Sequence, residues 1–136
     1  MRSLARRWLE QGIEVGLPVI ESSGGSLRFW AWRPEMQMIE DGPWSIPRPC
    51  SRRLVEPTLL LVPMLGFDLD LHRLGNGGGY YDRTLAAMQP RPVAVGICHE
   101  FGHMPTIYPQ AHDVRMDAVI TESDGPTDHH QTGNPP

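Results

Sequence analysis

The chain contains no lysine; all 12 of its basic residues are arginine. A Walker-type phosphate loop needs its lysine and is excluded. Any phosphate chemistry here must use arginine, backbone N–H groups or a metal ion. Aromatic residues are few, at 7%, and there are only two cysteines, Cys50 and Cys98. Two isolated thiols make no disulfide framework and read as small reduced side chains. No apolar run approaches the length of a membrane-spanning helix. Residues 1–11 lack the apolar core of a secretory leader, so a cytoplasmic protein is expected, with no membrane partner. No basic patch dominates a net charge of −4, so nucleic acid is not an expected partner. No internal repeat is visible.

What the chain has in quantity is turn-forming residues, 14 glycines and 14 prolines in 136 residues. That length is one domain's worth, enough for a sizeable core. Ser3 to Gln11 has Leu4, Ala5, Trp8 and Leu9 at the spacing of a helix face, with Gly12 to end it. Ile13 to Ile20 and Leu27 to Trp32 read as strands about the turn Ser22 to Ser26. Pro34 to Asp41 reads as a loop or short helix, and Gly42 to Pro57 as an irregular connection. Thr58 to Val62 and Val93 to Cys98 are continuous apolar runs, the pattern of strands buried on both faces. Asp82 to Met88 reads as a helix and Ala118 to Thr121 as a last strand. Strands alternating with helices predict an α/β class with a mainly parallel sheet over residues 1–122. Residues 123–136 are too polar to bury a core, and a disordered tail is expected.

The segment from Arg73 to Arg83 carries the strongest functional signal. Gly75, Gly77, Gly78 and Gly79 lie between Arg73 and Tyr80-Tyr81-Asp82-Arg83. A strand leads toward this loop and a helix leaves it. Glycines let backbone N–H groups turn in on a phosphate, and a helix N-terminus adds partial positive charge. In parallel sheets ligands bind beyond the carboxyl ends of the strands, where this loop belongs. The dinucleotide fingerprint is excluded, because Tyr80 stands where a third glycine is required.

Val62-Pro63-Met64-Leu65-Gly66-Phe67-Asp68 and Arg73-Leu74-Gly75-Asn76-Gly77-Gly78-Gly79-Tyr80-Tyr81-Asp82-Arg83 together resemble the 5-formyltetrahydrofolate cyclo-ligases, or 5,10-methenyltetrahydrofolate synthetases. So do Trp44-Ser45-Ile46-Pro47-Arg48-Pro49 and His112-Asp113 with Asp117 and Ala118 to Glu122. The resemblance runs over about residues 10–122. It implies a Rossmann-like three-layer sandwich, short of the family's N-terminal part. It implies an ATP- and magnesium-dependent ring closure that turns 5-formyltetrahydrofolate into 5,10-methenyltetrahydrofolate. It implies ATP contacts from Arg73, Leu74, Gly75, Asn76, Gly77, Gly78, Gly79, Tyr80 and Tyr81. It implies folate contacts from Trp44, Asn76, Gly77, Gly78, Gly79 and Tyr80, and magnesium-side carboxylates at Asp82 and Asp113.

Two departures qualify the resemblance. Asn76 replaces a larger side chain usual in the family. The family's first helix, with a lysine and arginine that grip ATP, and a glutamate that meets the folate have no counterpart here, so weak or absent turnover is expected. A nucleotide-binding module without turnover is the alternative. A zinc peptidase is a remote one, because His99-Glu100-Phe101-Gly102-His103 matches His-Glu-x-x-His. Gly102 and Pro105 argue against the helix that motif needs, and a chance match in a strand-to-loop connection is expected. His129-His130 reads as a solvated pair. Asp68 and Asp70 read as turn residues before they read as metal ligands.

Overall fold

A computed structural model describes residues 2–42, 45–75, 78–107, 109, 113–122 and 125–128. The chain divides into two compact units, Met1–Pro57 and Thr58–Pro136. Among the described residues, no helix is long and apolar enough to cross a membrane.

The first unit opens with helix α1, Arg2–Glu10. Its end closes where Gly12 N–H donates to Leu9 O at 3.0 Å and Ile13 N–H to Trp8 O at 2.9 Å. That double bond pattern satisfies carbonyls which the last helical turn would leave unpaired. Strands β1, Gly16–Val19, and β2, Arg28–Ala31, pair antiparallel with Leu17 opposite Trp30. Strands β3, Met38–Ile39, and β4, Arg48–Pro49, form a second small ladder within the segments expected to be irregular. Trp30 is buried, and Arg48 and Arg52 both set their guanidinium groups against its ring, at 4.9 and 5.5 Å. Asp41 accepts from both arginines, at 2.9 Å from Arg48 Nε and 3.1 Å from Arg52. The Arg48 bond, first, and the charges of both cations hold the Asp41 carboxyl below its ordinary value.

The second unit is built on β5, Leu59–Pro63; β8, Val93–Ile97; β9, Ala118–Thr121; and β10, Gly125–Asp128. Between β5 and β8 lie a hairpin of β6, Gly66–Phe67, and β7, Arg73–Leu74, and then helix α2, Tyr80–Ala87. Sheet order is β10-β9-β8-β5. β5 runs parallel to β8, with Leu61 opposite Val95, and β8 parallel to β9, with Gly96 opposite Val119. The three apolar runs thus become a parallel sheet, and the α/β class with a mainly parallel sheet is what the structure shows. β10 runs antiparallel to β9, so the expectation of disorder is corrected for residues 125–128. Their backbone groups find partners along the exposed edge of β9, which composition could not reveal. The other residues of 123–136 lie outside the described residues.

A second correction concerns burial. Leu60, Val62, Ala94 and Val119 are buried, yet Leu59 is 47% exposed and Val93 51%. One face of these strands is packed and the alternate face is only partly covered. α2 is the one α-helix among the described residues of this unit, and one helix covers at most one face.

The start of the sheet is fastened by Asp117. Its Oδ2 accepts from the buried Ala94 N–H at 2.7 Å and from Arg91 at 2.9 Å, while Arg91 also donates to Arg115 O at 2.8 Å. Asp117→Ala is expected to cost about 1–2 kcal/mol, chiefly by leaving the Ala94 N–H unsatisfied. Urea unfolding measures it. A change below about 0.3 kcal/mol would mean that the exposed ion pair with Arg91 is all that Asp117 supplies.

Candidate functional site

β5 ends at Pro63, and the chain turns at once into the β6–β7 hairpin. Leu65 N–H donates to Leu74 O at 2.8 Å, and Phe67 stands opposite Arg73. Arg73 therefore leaves the hairpin beside the carboxyl end of β5. Its Nε donates to Pro63 O at 3.1 Å, and its guanidinium lies over the Tyr81 ring, 5.1 Å from the centroid. Burial lowers the Arg73 pKa, while the Asp82 charge opposes that shift. Burial raises the Tyr81 phenol, with Arg73 pulling the other way, so Tyr81 is neutral at physiological pH. The result is a partly desolvated cation stacked on a neutral ring. Its remaining N–H donors suit a phosphate.

Gly75 is required by this stacking. A β-carbon there would stand 2.6 Å from Arg73 Cζ and closer still to the guanidinium nitrogens. Gly79 is required by the backbone, since its φ of +71° lies in the left-handed region at the N-cap of α2. Arg83 N–H closes the first turn onto Gly79 O at 3.0 Å, and the Arg83 guanidinium lies 4.8 Å from the Tyr80 ring centroid. Two arginine–tyrosine stacks therefore meet at the start of α2.

Asp82 sits in the first turn of α2, favourable for a carboxylate. Its Oδ1 accepts the Val114 N–H at 3.1 Å. This bond ties the helix start to the stretch that carries Asp113. Two hard oxygen donors, Asp82 and Asp113, thus stand on segments joined by a hydrogen bond, and the Asp82 charge is felt by Arg73. That donor set could hold a magnesium ion, which favours one or two carboxylates plus phosphate oxygens.

The competing motif takes another form. Glu100–Gly102 is a single 3-10 turn, with extended backbone at His99 and His103 on either side. Glu100 Oε2 accepts from the Thr121 hydroxyl at 2.8 Å, and His103 stacks on Phe67 with centroids 4.9 Å apart. The two histidines do not share a helical face, as zinc peptidase chemistry requires. Asp68, Asp70 and His72 have potential ligand atoms within 4.8 Å of one another. However, Asp68 Oδ1 is taken up by the Asp70 and His72 backbone N–H groups, each at 3.0 Å.

The sequence profile described as the 5-formyltetrahydrofolate cyclo-ligase family matches residues 1–122. The chain belongs to that family. Among relatives named 5-formyltetrahydrofolate cyclo-ligase, that of Escherichia coli K12 is 31% identical over 118 residues, covering 82% of this chain and 65% of the relative. That of Mycolicibacterium smegmatis is 30% identical over 127 residues, covering 86% and 64%. The solution structure of Aquifex aeolicus 5,10-methenyltetrahydrofolate synthetase is similar with a TM-score of 0.74 and 26% identity, covering 94% of this chain and 64% of that one. The chain therefore spans about two-thirds of the length of these cyclo-ligase relatives.

Within this cyclo-ligase fold, Arg73, Gly75, Gly79, Tyr80, Tyr81 and Asp82 gather around the start of α2, and Asp113 neighbours the Val114 contact. Leu74 faces outward from the hairpin at 39% exposure, its backbone paired with Gly66. Gly78 lies against the Tyr80 ring. Trp44, Asn76, Gly77 and His112 lie outside the described residues. Sequence reasoning missed the Pro63 carbonyl that receives Arg73 and the Val114 N–H that receives Asp82. Both are backbone groups, so no residue type announces them.

The thiols offer a simple check on accessibility. Cys50 is exposed and Cys98 buried. Burial, first, raises the Cys98 pKa, and the nearby Glu122 and Glu100 charges add to it. Under native conditions at pH 8, Cys50 is expected to alkylate at least about tenfold faster than Cys98, because the thiolate is the nucleophile. Mass spectrometry after timed labelling measures the ratio, and equal rates would contradict the packing around Cys98.

Proposed function

We propose that this chain binds ATP with magnesium over the glycine loop and serves the ring closure of 5-formyltetrahydrofolate to 5,10-methenyltetrahydrofolate. The observation that carries the reading is the joining of Asp82 to Val114 beside the Arg73–Tyr81 stack. A cation and a carboxylate at the first turn of a helix support a role in phosphoryl transfer, which is mainly positioning and charge stabilisation.

In this reading the terminal phosphoryl of ATP passes to the formyl oxygen of the folate, leaving ADP. N10 attacks the activated carbon, its proton is lost, and the carbon–oxygen bond breaks to release phosphate. Arg73 neutralises charge on the transferring oxygens through donors left free by the Pro63 bond. The N–H groups at the start of α2 face the same anion. Asp82 and Asp113 would hold magnesium, which when bound would supply neutralisation of phosphate charge. Tyr80, at the first position of α2, is the folate-side residue of this proposal.

Calorimetric titration with ATP and magnesium tests the reading. Saturable binding that Arg73→Ala weakens is expected. Absence of binding by the folded wild-type chain would end it. Methenyl product, followed by its near-ultraviolet absorbance, separates an enzyme from a binding module without turnover.

A further inference from the structure

The buried carboxylate of Asp68 is outside the machinery described so far, and its bonds lead to that machinery from two sides. Asp68 is 3% exposed. Its Oδ1 accepts the Asp70 and His72 N–H groups, while its own backbone carbonyl accepts the Leu71 N–H at 3.0 Å. Its Oδ2 lies 3.3 Å from His72 Nδ1. These contacts wind residues 68–72 into a tight loop. Within it Leu71 takes φ +63°, a left-handed conformation that a branched side chain adopts only when its surroundings enforce it. Leu71 is also 1% exposed, so the conformation is sealed inside the core.

The loop presents two carbonyls to the segment that follows Asp113. Met116 N–H donates to Leu71 O at 2.8 Å, and Arg115 Nε donates to Asp70 O at 3.0 Å. His72 and Arg115 also form an isolated antiparallel bridge. Met116 is fully buried, which restrains this stretch against the core. The next residue back is Val114, whose N–H reaches Asp82. In the other direction along the chain, His72 leads straight into Arg73.

From this chain of contacts we infer that Asp68 is a positioning residue, whose carboxylate sets both Arg73 and the Asp113–Val114 stretch relative to Asp82. The inference rests on the proposed nucleotide role for its consequence, though not for its geometry. Backbone N–H groups need an acceptor at that spot, and they do not need its charge. An amide oxygen serves equally, whereas a methyl group or an oxygen moved one methylene outward does not.

The experiment compares Asp68→Ala, Asp68→Asn and Asp68→Glu with the wild-type chain. Amide hydrogen exchange is read at Val114 and Met116, with Val95 in β8 as the control for global unfolding. In Asp68→Ala, exchange at Val114 and Met116 is expected to quicken at least about tenfold while Val95 is unchanged. Asp68→Asn is expected to restore protection to within about threefold of wild type. If Asp68→Ala fails to fold, Asp68→Glu carries the same test, since it keeps the charge and displaces the acceptor. Wild-type protection at Val114 and Met116 in a folded Asp68→Ala or Asp68→Glu chain would overturn the inference. So would Asp68→Asn exchanging as fast as Asp68→Ala. ATP affinity with magnesium, measured in parallel, should fall about tenfold in Asp68→Ala and recover in Asp68→Asn. Faster exchange with unchanged affinity would support the positioning role and overturn the nucleotide reading of Arg73 and Asp113 instead.

Discussion

Replacing Gly75 with valine is expected to weaken ATP binding by roughly ten- to hundredfold and to leave both units folded. The steric argument is local. A β-carbon at Gly75 would fall 2.6 Å from Arg73 Cζ. The guanidinium is the far end of a flexible side chain, so it can swing away at small cost to the fold. In leaving, it gives up the Tyr81 face and the Pro63 carbonyl that aim it. A charge-assisted hydrogen bond is worth about 1.5–3 kcal/mol, and losing one produces a decrease of the expected size. Gly75→Ala should act in the same direction, because the β-carbon alone makes the clash. Calorimetry with ATP and magnesium reads the affinity, and far-ultraviolet circular dichroism reads the fold. An unchanged affinity in folded Gly75→Val would show that the stacked position of Arg73 has nothing to do with the nucleotide.

Asp82 should separate into two roles under two substitutions. Asp82→Asn keeps an oxygen for the Val114 N–H and removes the charge. It is expected to lower ATP affinity in the presence of magnesium by roughly tenfold or more, and to change magnesium-free affinity little. Asp82→Ala removes the oxygen as well, so the Val114 N–H loses its acceptor at 3.1 Å. That variant should also lose about 1–3 kcal/mol of stability and bind less well with or without the metal. Measuring the two affinities and a urea midpoint for each variant gives the comparison. If Asp82→Asn reduces both affinities equally, the carboxylate acts by holding the loop, and its assignment to the metal fails.

The glycine loop was legible because its residue types have few other uses. An arginine, four glycines, two tyrosines and an aspartate in one short run constrain backbone conformation and charge together. The helix at α1 was legible from the spacing of Leu4, Ala5, Trp8 and Leu9. The hairpin of β6 and β7 was not. Its strands are two residues each, too short for any period to show. The same holds for β3 and β4.

The sequence by itself determined the α/β class and the three parallel strands, and it located the glycine-rich segment proposed to meet phosphate. Each depends on local pattern: apolar runs for the strands, helical spacing for α1, glycine and charge for the loop. Only the tertiary structure decided what those pieces touch. The Asp82 bond to Val114 spans 32 residues and the Arg115 bond to Asp70 spans 45. Asp68 had two readings in the sequence, turn or metal ligand, and its Oδ1 proved to be occupied by two N–H groups of its own loop. Burial of alternate faces was likewise decided by packing, since an apolar run states what a strand tolerates and not what covers it. Contacts of this kind are made by backbone groups, which every residue carries, so the side-chain sequence holds no record of them until the chain is folded.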